Sequence, residues 1–244
     1  MFDRPIPRFS DPDVRMVNIR ECGEPIVRLR PRDQILIHPA YHARGFTTAD
    51  PAICLRTGVV DALVTASMIL PRGLRIVVYD GLRSLQTQKE IADRFARAMA
   101  DMPMPDDERA TTISRFVAPL PATEEEYRAA PPAHSTGAAV DVGLAADDGT
   151  FIDLGADFDQ FDETAATNYY ETLCWNGGCT PDDRARREHR RILYWAMIGA
   201  GFVGYPAEFW HFEIGTKRAA AFHGRITAKY GAIAPWPQEQ AAVA

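Results

Sequence analysis

The sequence predicts an α+β fold: a small, mostly antiparallel sheet carrying a metal site, with helices packed on it. Three observations predict it. Short alternating or β-branched apolar runs recur at 24–30, 34–38, 74–79, 139–144 and 209–214, and their length suits strands rather than helices. Between them, 58–70, 84–99 and 180–200 repeat apolar residues at helical spacing, the mark of one face turned to a core. Chemistry-bearing groups lie on both sides of a polar middle at 103–132, with Arg83 before it and His134–Asp141 and Glu208–His211 after it. Groups that belong to one site argue for one domain over 1–244.

Taken in order, residues 1–20 are Pro- and Asp-rich and read as an irregular arm. Glu24–Arg30 alternates after Pro25 and reads as a strand or extended edge. Gln34–His38 is a short apolar strand, and Pro39–Pro51 is a loop holding Tyr41, His42 and Phe46. From Gly58 to Leu70, Val59, Val60, Leu63, Val64 and Met68 follow one helix face, closed by Pro71-Arg-Gly. Leu74–Tyr79 is a buried strand that runs straight into Asp80-Gly-Leu-Arg-Ser84. Ser84 is a good N-cap for a helix whose face is Leu85, Ile91, Phe95 and Met99.

Residues 103–132 are polar and Pro-rich. They read as an insertion over a core or a lid, with a short helix near Ile113. Ala139–Leu144 is a strand, and Asp147-Asp-Gly149 a turn that begins a hairpin return. Thr180-Pro-Asp-Asp183 combines a cap, a first-turn proline and a box-like acid, so a helix starts there and ends at Gly201. Its Arg184, Arg186, Arg187, Arg190 and Arg191 read as a solvated face. Phe209–Ile214 is a strand, with Trp210 and Phe212 as core or pocket wall, and Phe222–Pro237 is expected as a helix and tail.

Composition excludes several classes. The 244 residues are 46% hydrophobic and 25% charged, with net charge −6 and pI near 5.5. That balance favours neither nucleic acid nor an anionic membrane as partner, and no apolar run is long enough to span a bilayer. Met1–Phe9 lacks the apolar core of a signal peptide, so the expected location is cytoplasmic. Four cysteines are too few for a disulfide scaffold. Cys174 and Cys179 read as free thiols or one disulfide, with a structural metal the less favoured reading. Homo-oligomerisation is left open.

The chemistry lies in two stretches. His134-Ser-Thr-Gly-Ala-Ala-Val-Asp141 brings an imidazole and a carboxylate back to one point, with Gly137 allowing a tight return. Asp141 sits among Ala139, Val140, Val142 and Leu144, where a carboxylate needs a cation as partner. Glu208-Phe-Trp-His211 supplies a second imidazole and a second carboxylate. Two imidazoles and one acid with an open position is the inventory of a catalytic zinc site, and the second acid suits a base.

These residues resemble the zinc D-alanyl-D-alanine dipeptidase family. Its pattern, Ser-x-His-x-x-Gly-x-Ala-x-Asp followed by Glu-x-x-His, is matched at His134, Gly137, Ala139, Asp141, Glu208 and His211. The family's Asp-Gly-x-Arg is matched by Asp80-Gly-Leu-Arg83, and its Phe-Asp segment by Phe158-Asp159. The resemblance implies the same α+β fold, one Zn2+ held by His134, Asp141 and His211, and Glu208 as general base. It makes Arg83 the group facing the scissile carbonyl. Asp159 pairs with the free N-terminus of a small dipeptide, and Tyr41 lines the pocket. The implied activity is zinc-dependent hydrolysis of a short peptide, D-alanyl-D-alanine above all. The alternatives are another zinc amidase of the superfamily (for a different dipeptide, or a peptidoglycan carboxypeptidase or endopeptidase) and a non-catalytic zinc-binding protein. The chain departs from the family at Pro132, Leu82, Ser84 and Phe209, positions around the substrate rather than catalytic groups.

Overall fold

A five-stranded mixed sheet forms the centre, in the order β3-β5-β6-β8-β7. The computed structural model describes residues 1–100, 105, 107, 109, 119–160 and 162–236. The strands are β1 (18–19), β2 (26–28), β3 (35–37), β4 (54–56), β5 (74–80), β6 (139–146), β7 (203–205), β8 (208–213) and β9 (227–228). The helices are α1 (40–43), α2 (57–69), α3 (85–100), α4 (124–129), α5 (169–175), α6 (181–199) and α7 (217–222), with 3-10 turns at 133–136 and 163–165.

Within the central sheet every pairing is antiparallel except β3 with β5, which is parallel. β5 and β6 are the long strands, and Ile76, Val77, Val78, Val140, Val142 and Leu144 are buried along them. That apolar run on both faces is what a central strand covered on both sides requires. A single apolar cluster joins this sheet to α2 through Val59 and Leu63, and to α6 through Leu193 and Met197. β2 and β4 form a separate antiparallel pair, and β1 and β9 a parallel one. Among the described residues no helix is long and apolar enough to cross a membrane.

The predicted caps are formed. Ser84 Oγ accepts the Thr87 N–H at 3.1 Å. At the head of α6, Thr180 and Asp183 cap each other's backbone N–H groups, with Pro181 in the first turn. On α3, Leu85, Ile91, Phe95 and Met99 are all buried.

Several expectations are corrected. Met68 is exposed, and α2 buries Ala62, Ala66 and Ser67 beside Val59, Val60 and Leu63. The turn at Asp147–Gly149 does begin a short antiparallel return, Ala145 to Phe151, as expected. Residues 39–51 hold a one-turn helix, α1, as well as loop. Phe222 ends α7 instead of starting a helix, and β9 follows. Arg190 is not on a solvated face. It is buried and donates to the carbonyls of Leu154, Thr164 and Ala166 at 2.7–2.8 Å. Cys174 and Cys179 form a disulfide, one of the two readings expected of them. The short helix near Ile113 lies outside the described residues, as does most of 103–118.

Candidate active site

Three strands deliver one row of side chains. Asp80 on β5 is the cross-strand partner of Asp141 on β6, and Asp141 is the partner of His211 on β8. Side chains directly opposite one another on a sheet share a face about 4.5–5.5 Å apart. Two of the three candidate metal ligands are therefore neighbours by strand register alone. The third, His134, comes from the 3-10 turn just before β6. Gly137 closes that turn with φ +68°, and a Cβ there would lie 2.5 Å from Ile26 Cδ1. The positive φ favours glycine there.

Both flanking pairings break register at the site. β5 shifts between Val78 and Asp80, leaving Tyr79 as an extra residue. The β7–β8 pairing shifts too: Tyr205 faces Glu208, while Gly204 faces Phe212. Residues three apart on a regular strand point to opposite faces. This second irregularity is what lets Glu208 and His211 line the same cavity. Thr167 closes the break, its hydroxyl donating to the Tyr205 and Glu208 carbonyls.

The ligand atoms converge. His211 Nδ1 lies 3.0 Å from Asp141 Oδ1, and His134 Nε2 lies 3.2 Å from His211 Nδ1 and 3.3 Å from Asp141 Oδ2. Tetrahedral ligands on bonds of about 2.0–2.1 Å stand roughly 3.3 Å apart. The other ring nitrogens are committed. His134 Nδ1 donates to the Gly81 carbonyl at 2.7 Å, and His211 Nε2 donates to Glu213 at 2.9 Å. With neutral rings, three lone-pair atoms then face one another, an arrangement that needs a cation at its centre. Gly81 is constrained in turn, since a Cβ there would meet the Cys54 carbonyl at 2.8 Å.

The electrostatics agree. Burial disfavours charge on His211, but its hydrogen bonds to Asp141 and Glu213 outweigh burial and push its pKa up to about 10. The space beside Nδ1 attracts positive charge, whether proton or metal. Burial works against ionised Asp141 as well, and the two imidazoles still hold it far below the carboxylate range.

Around this triad stand the other predicted residues. Arg83 Nε donates to Asp80 at 2.8 Å and Nη1 to Gln88 at 2.8 Å. Its Nη2 reaches Asp141 Oδ2 at 3.2 Å and Tyr41 Oη at 3.3 Å. Burial opposes its charge, but Tyr41 and the carboxylates of Asp80 and Asp141 keep it cationic. Tyr41 Oη donates to Asp159 Oδ1 at 3.1 Å, so Tyr41 bridges arginine and acid. Asp159 is the one non-glycine residue with positive φ, +65°, among the described residues. A strained backbone of this kind persists where surrounding contacts fix it, and here Arg44 donates to the neighbouring Phe158 carbonyl at 2.7 Å. Burial pushes Asp159 up to about 6 against the pull of Arg83 and Arg44.

Glu208 differs from all of these. Its carboxylate has no hydrogen-bond partner among the described residues. Burial pushes its pKa up to about 7, with His211 opposing and Asp141 adding to the shift. An acid poised near neutrality, uncommitted and beside a metal triad, is suited to moving a proton.

His134, Asp141, His211, Glu208, Arg83, Asp159 and Tyr41 all line one cavity of about 440 Å³. His42 does not; it lines a neighbouring cavity of about 260 Å³ that shares Tyr41 and Arg83. The sequence reading named Asp80 only as part of a motif and passed over Gln88 and Glu213; Asp80 and Gln88 hold Arg83, and Glu213 holds His211. A signal for Glu213 existed: a lone acid two residues after His211, on the same face of an apolar strand.

Comparison with known proteins bears on these residues. A family model described as D-Ala-D-Ala dipeptidase matches residues 44–228. The chain is 30% identical over 232 residues to a D-alanyl-D-alanine dipeptidase of Synechocystis, covering 88% of this chain and 90% of that protein. It is 28% identical over 142 residues to a D-alanyl-D-alanine dipeptidase of Escherichia coli, covering 58% of this chain and 56% of that protein.

Proposed function

Since this chain belongs to the D-Ala-D-Ala dipeptidase family and is thus a peptidase, we propose that it hydrolyses free D-alanyl-D-alanine with a zinc ion held by His134, Asp141 and His211. The observation that carries this reading is the convergence of three candidate metal-binding atoms at 3.0–3.3 Å beside an acid with no hydrogen-bond partner among the described residues. Two imidazoles and one carboxylate suit zinc, and a divalent cation there supplies Lewis acidity and makes water acidic near neutral pH.

The chain's own groups do the rest. Glu208 Oε takes the proton of the attacking water and returns it to the leaving amine. Arg83 Nη2, already between Asp141 and Tyr41, faces the developing oxyanion, a contact of a kind worth about 3–4 kcal/mol. It cannot swing away, because Asp80 and Gln88 hold the other guanidinium nitrogens. Asp159 pairs with the substrate ammonium, and Tyr41 orients Asp159. A peptide extended at its N-terminus would lack the ammonium that Asp159 meets, which disfavours extension at that end.

The test is amino-acid release from D,D, L,L and mixed dipeptides by zinc-loaded protein beside Glu208→Ala. Release from D-alanyl-D-alanine, absent in the variant and small for tripeptides, is the expected result. Release from other dipeptides alone would change the substrate and leave the residue roles standing. No release with zinc stoichiometrically bound would overturn the reading.

A further inference from the structure

A dipeptide is a zwitterion, and the site described so far meets only its ammonium. Among the described residues, three cations line the cavity: Arg83, Lys217 and Arg218. Arg83 is paired with Asp80 and Asp141. Arg218 is paired with Glu213 and Asp11. Among the described residues Lys217 has no carboxylate partner, and its Nζ donates only to the Ala129 carbonyl, at 3.1 Å. An ammonium has three donors, so two remain for a ligand.

Its position fits the missing end. Both ring nitrogens of His211 have partners at the cavity. Nδ1 faces Asp141, behind which lie Arg83, Tyr41 and Asp159. Nε2 faces Glu213, which also accepts from Thr216, and Lys217 is the next residue. Lys217 lines the same cavity as the candidate metal triad and Asp159. The rim that Lys217 reaches across to, 129–133, reads Ala-Ala-Pro-Pro-Ala and offers no side-chain donor. Glu208 and Asp11 also line the cavity, so an arriving carboxylate is repelled unless a cation receives it.

We propose that Lys217 binds the C-terminal carboxylate of the substrate and makes the enzyme select a free C-terminus. This rests on the dipeptidase reading above. With Asp159 at the other end, the cavity reads both charges of the zwitterion, and length is limited from both sides.

The test compares D-alanyl-D-alanine with its C-terminal amide on wild type, Lys217→Met and Lys217→Arg, all zinc-loaded. The wild type is expected to favour the free acid. In Lys217→Met the ratio of kcat/KM for acid over amide should fall about tenfold, through KM rather than kcat, and Lys217→Arg should restore most of it. A ratio unchanged in Lys217→Met, with the dipeptide still hydrolysed, would overturn the proposal and spare the dipeptidase reading. A wild type that hydrolyses neither compound would overturn both. A fall in both substrates alike, not rescued by arginine, would assign Lys217 a structural role and overturn the proposal.

Discussion

Glu208 and Glu213 stand at the two ends of β8, with His211 between them, and they are opposites. Glu213 is fully buried and satisfied by His211, Thr216 and Arg218. Burial works against its charge, but Arg218 and the His211 hydrogen bond hold its pKa well below the carboxylate range. Glu208 has no such partners, and burial pushes it up to about 7. The same side chain on the same strand thus serves two ends. One is pinned as an anion that holds the His211 ring; the other is left free to change protonation. Environment, not residue type, divides the labour.

The sharpest way to break this contrast is to neutralise each end. Glu208→Gln is expected to lower kcat by roughly 10²–10⁴ while zinc affinity, read by chelator competition, stays near wild type. Glu213→Gln should do the reverse, weakening zinc by about 10–100-fold because His211 loses the acceptor that fixes its ring. If Glu208→Gln lost the metal and Glu213→Gln kept it, the assignment of roles would be inverted.

A pH titration separates them next. kcat/KM should fall about tenfold per unit below pH 7, as Glu208 takes up a proton, a limb missing from the residual activity of Glu208→Gln. Stability carries the matching signs. Glu208 has a folded pKa above its ordinary 4.5, so the native chain holds a proton that the unfolded chain has lost. Its contribution therefore weakens as pH rises from about 4.5 to 7. Glu213 has a depressed pKa, so its contribution is present above the ordinary value and is lost as pH falls below it. The Tm gained by Glu208→Gln should accordingly be larger at pH 8 than at pH 5. Thr167→Val is the mildest probe. It strips the hydroxyl from the carbonyls of Tyr205 and Glu208, costing roughly 1–2 kcal/mol of stability. It should reduce kcat several-fold with zinc affinity intact, since only the Glu208 end of the strand is loosened.

Much of this centre was legible in the sequence. His134, Asp141, Glu208 and His211 were readable because polar residues interrupt apolar runs at fixed spacing, and the resemblance gave that spacing a meaning. Arg83, Asp159 and Tyr41 came with the resemblance and meet in the cavity. Asp80 and Gln88 were not legible as its supports, because a long guanidinium chooses partners from a strand end and a helix face at once. Asp11 is still less so, lying 207 positions from Arg218. Arg190 was misread, although its spacing held the answer: it lies three, four and seven residues before buried Leu193, Tyr194 and Met197, on the inward face. Strands of two or three residues, such as β1, β4, β7 and β9, are too short to show alternation. The parallel pairing of β3 depends on topology rather than local sequence.

The row formed by Asp80, Asp141 and His211 has a consequence for how the enzyme fails. These residues belong to the hydrogen-bonded ladder of the sheet, so their separation can open only when the ladder does, near the free energy of global unfolding. Asp159 stands on a loop and can be released alone. Graded denaturant should therefore raise KM first and release metal later. Hydrogen exchange should follow that order, with amides near 159 exchanging ahead of those in β6 and β8. On the proposed roles, substrate selection and metal retention form two separate layers of durability in one small chain, and heat or solvent should strip them one at a time.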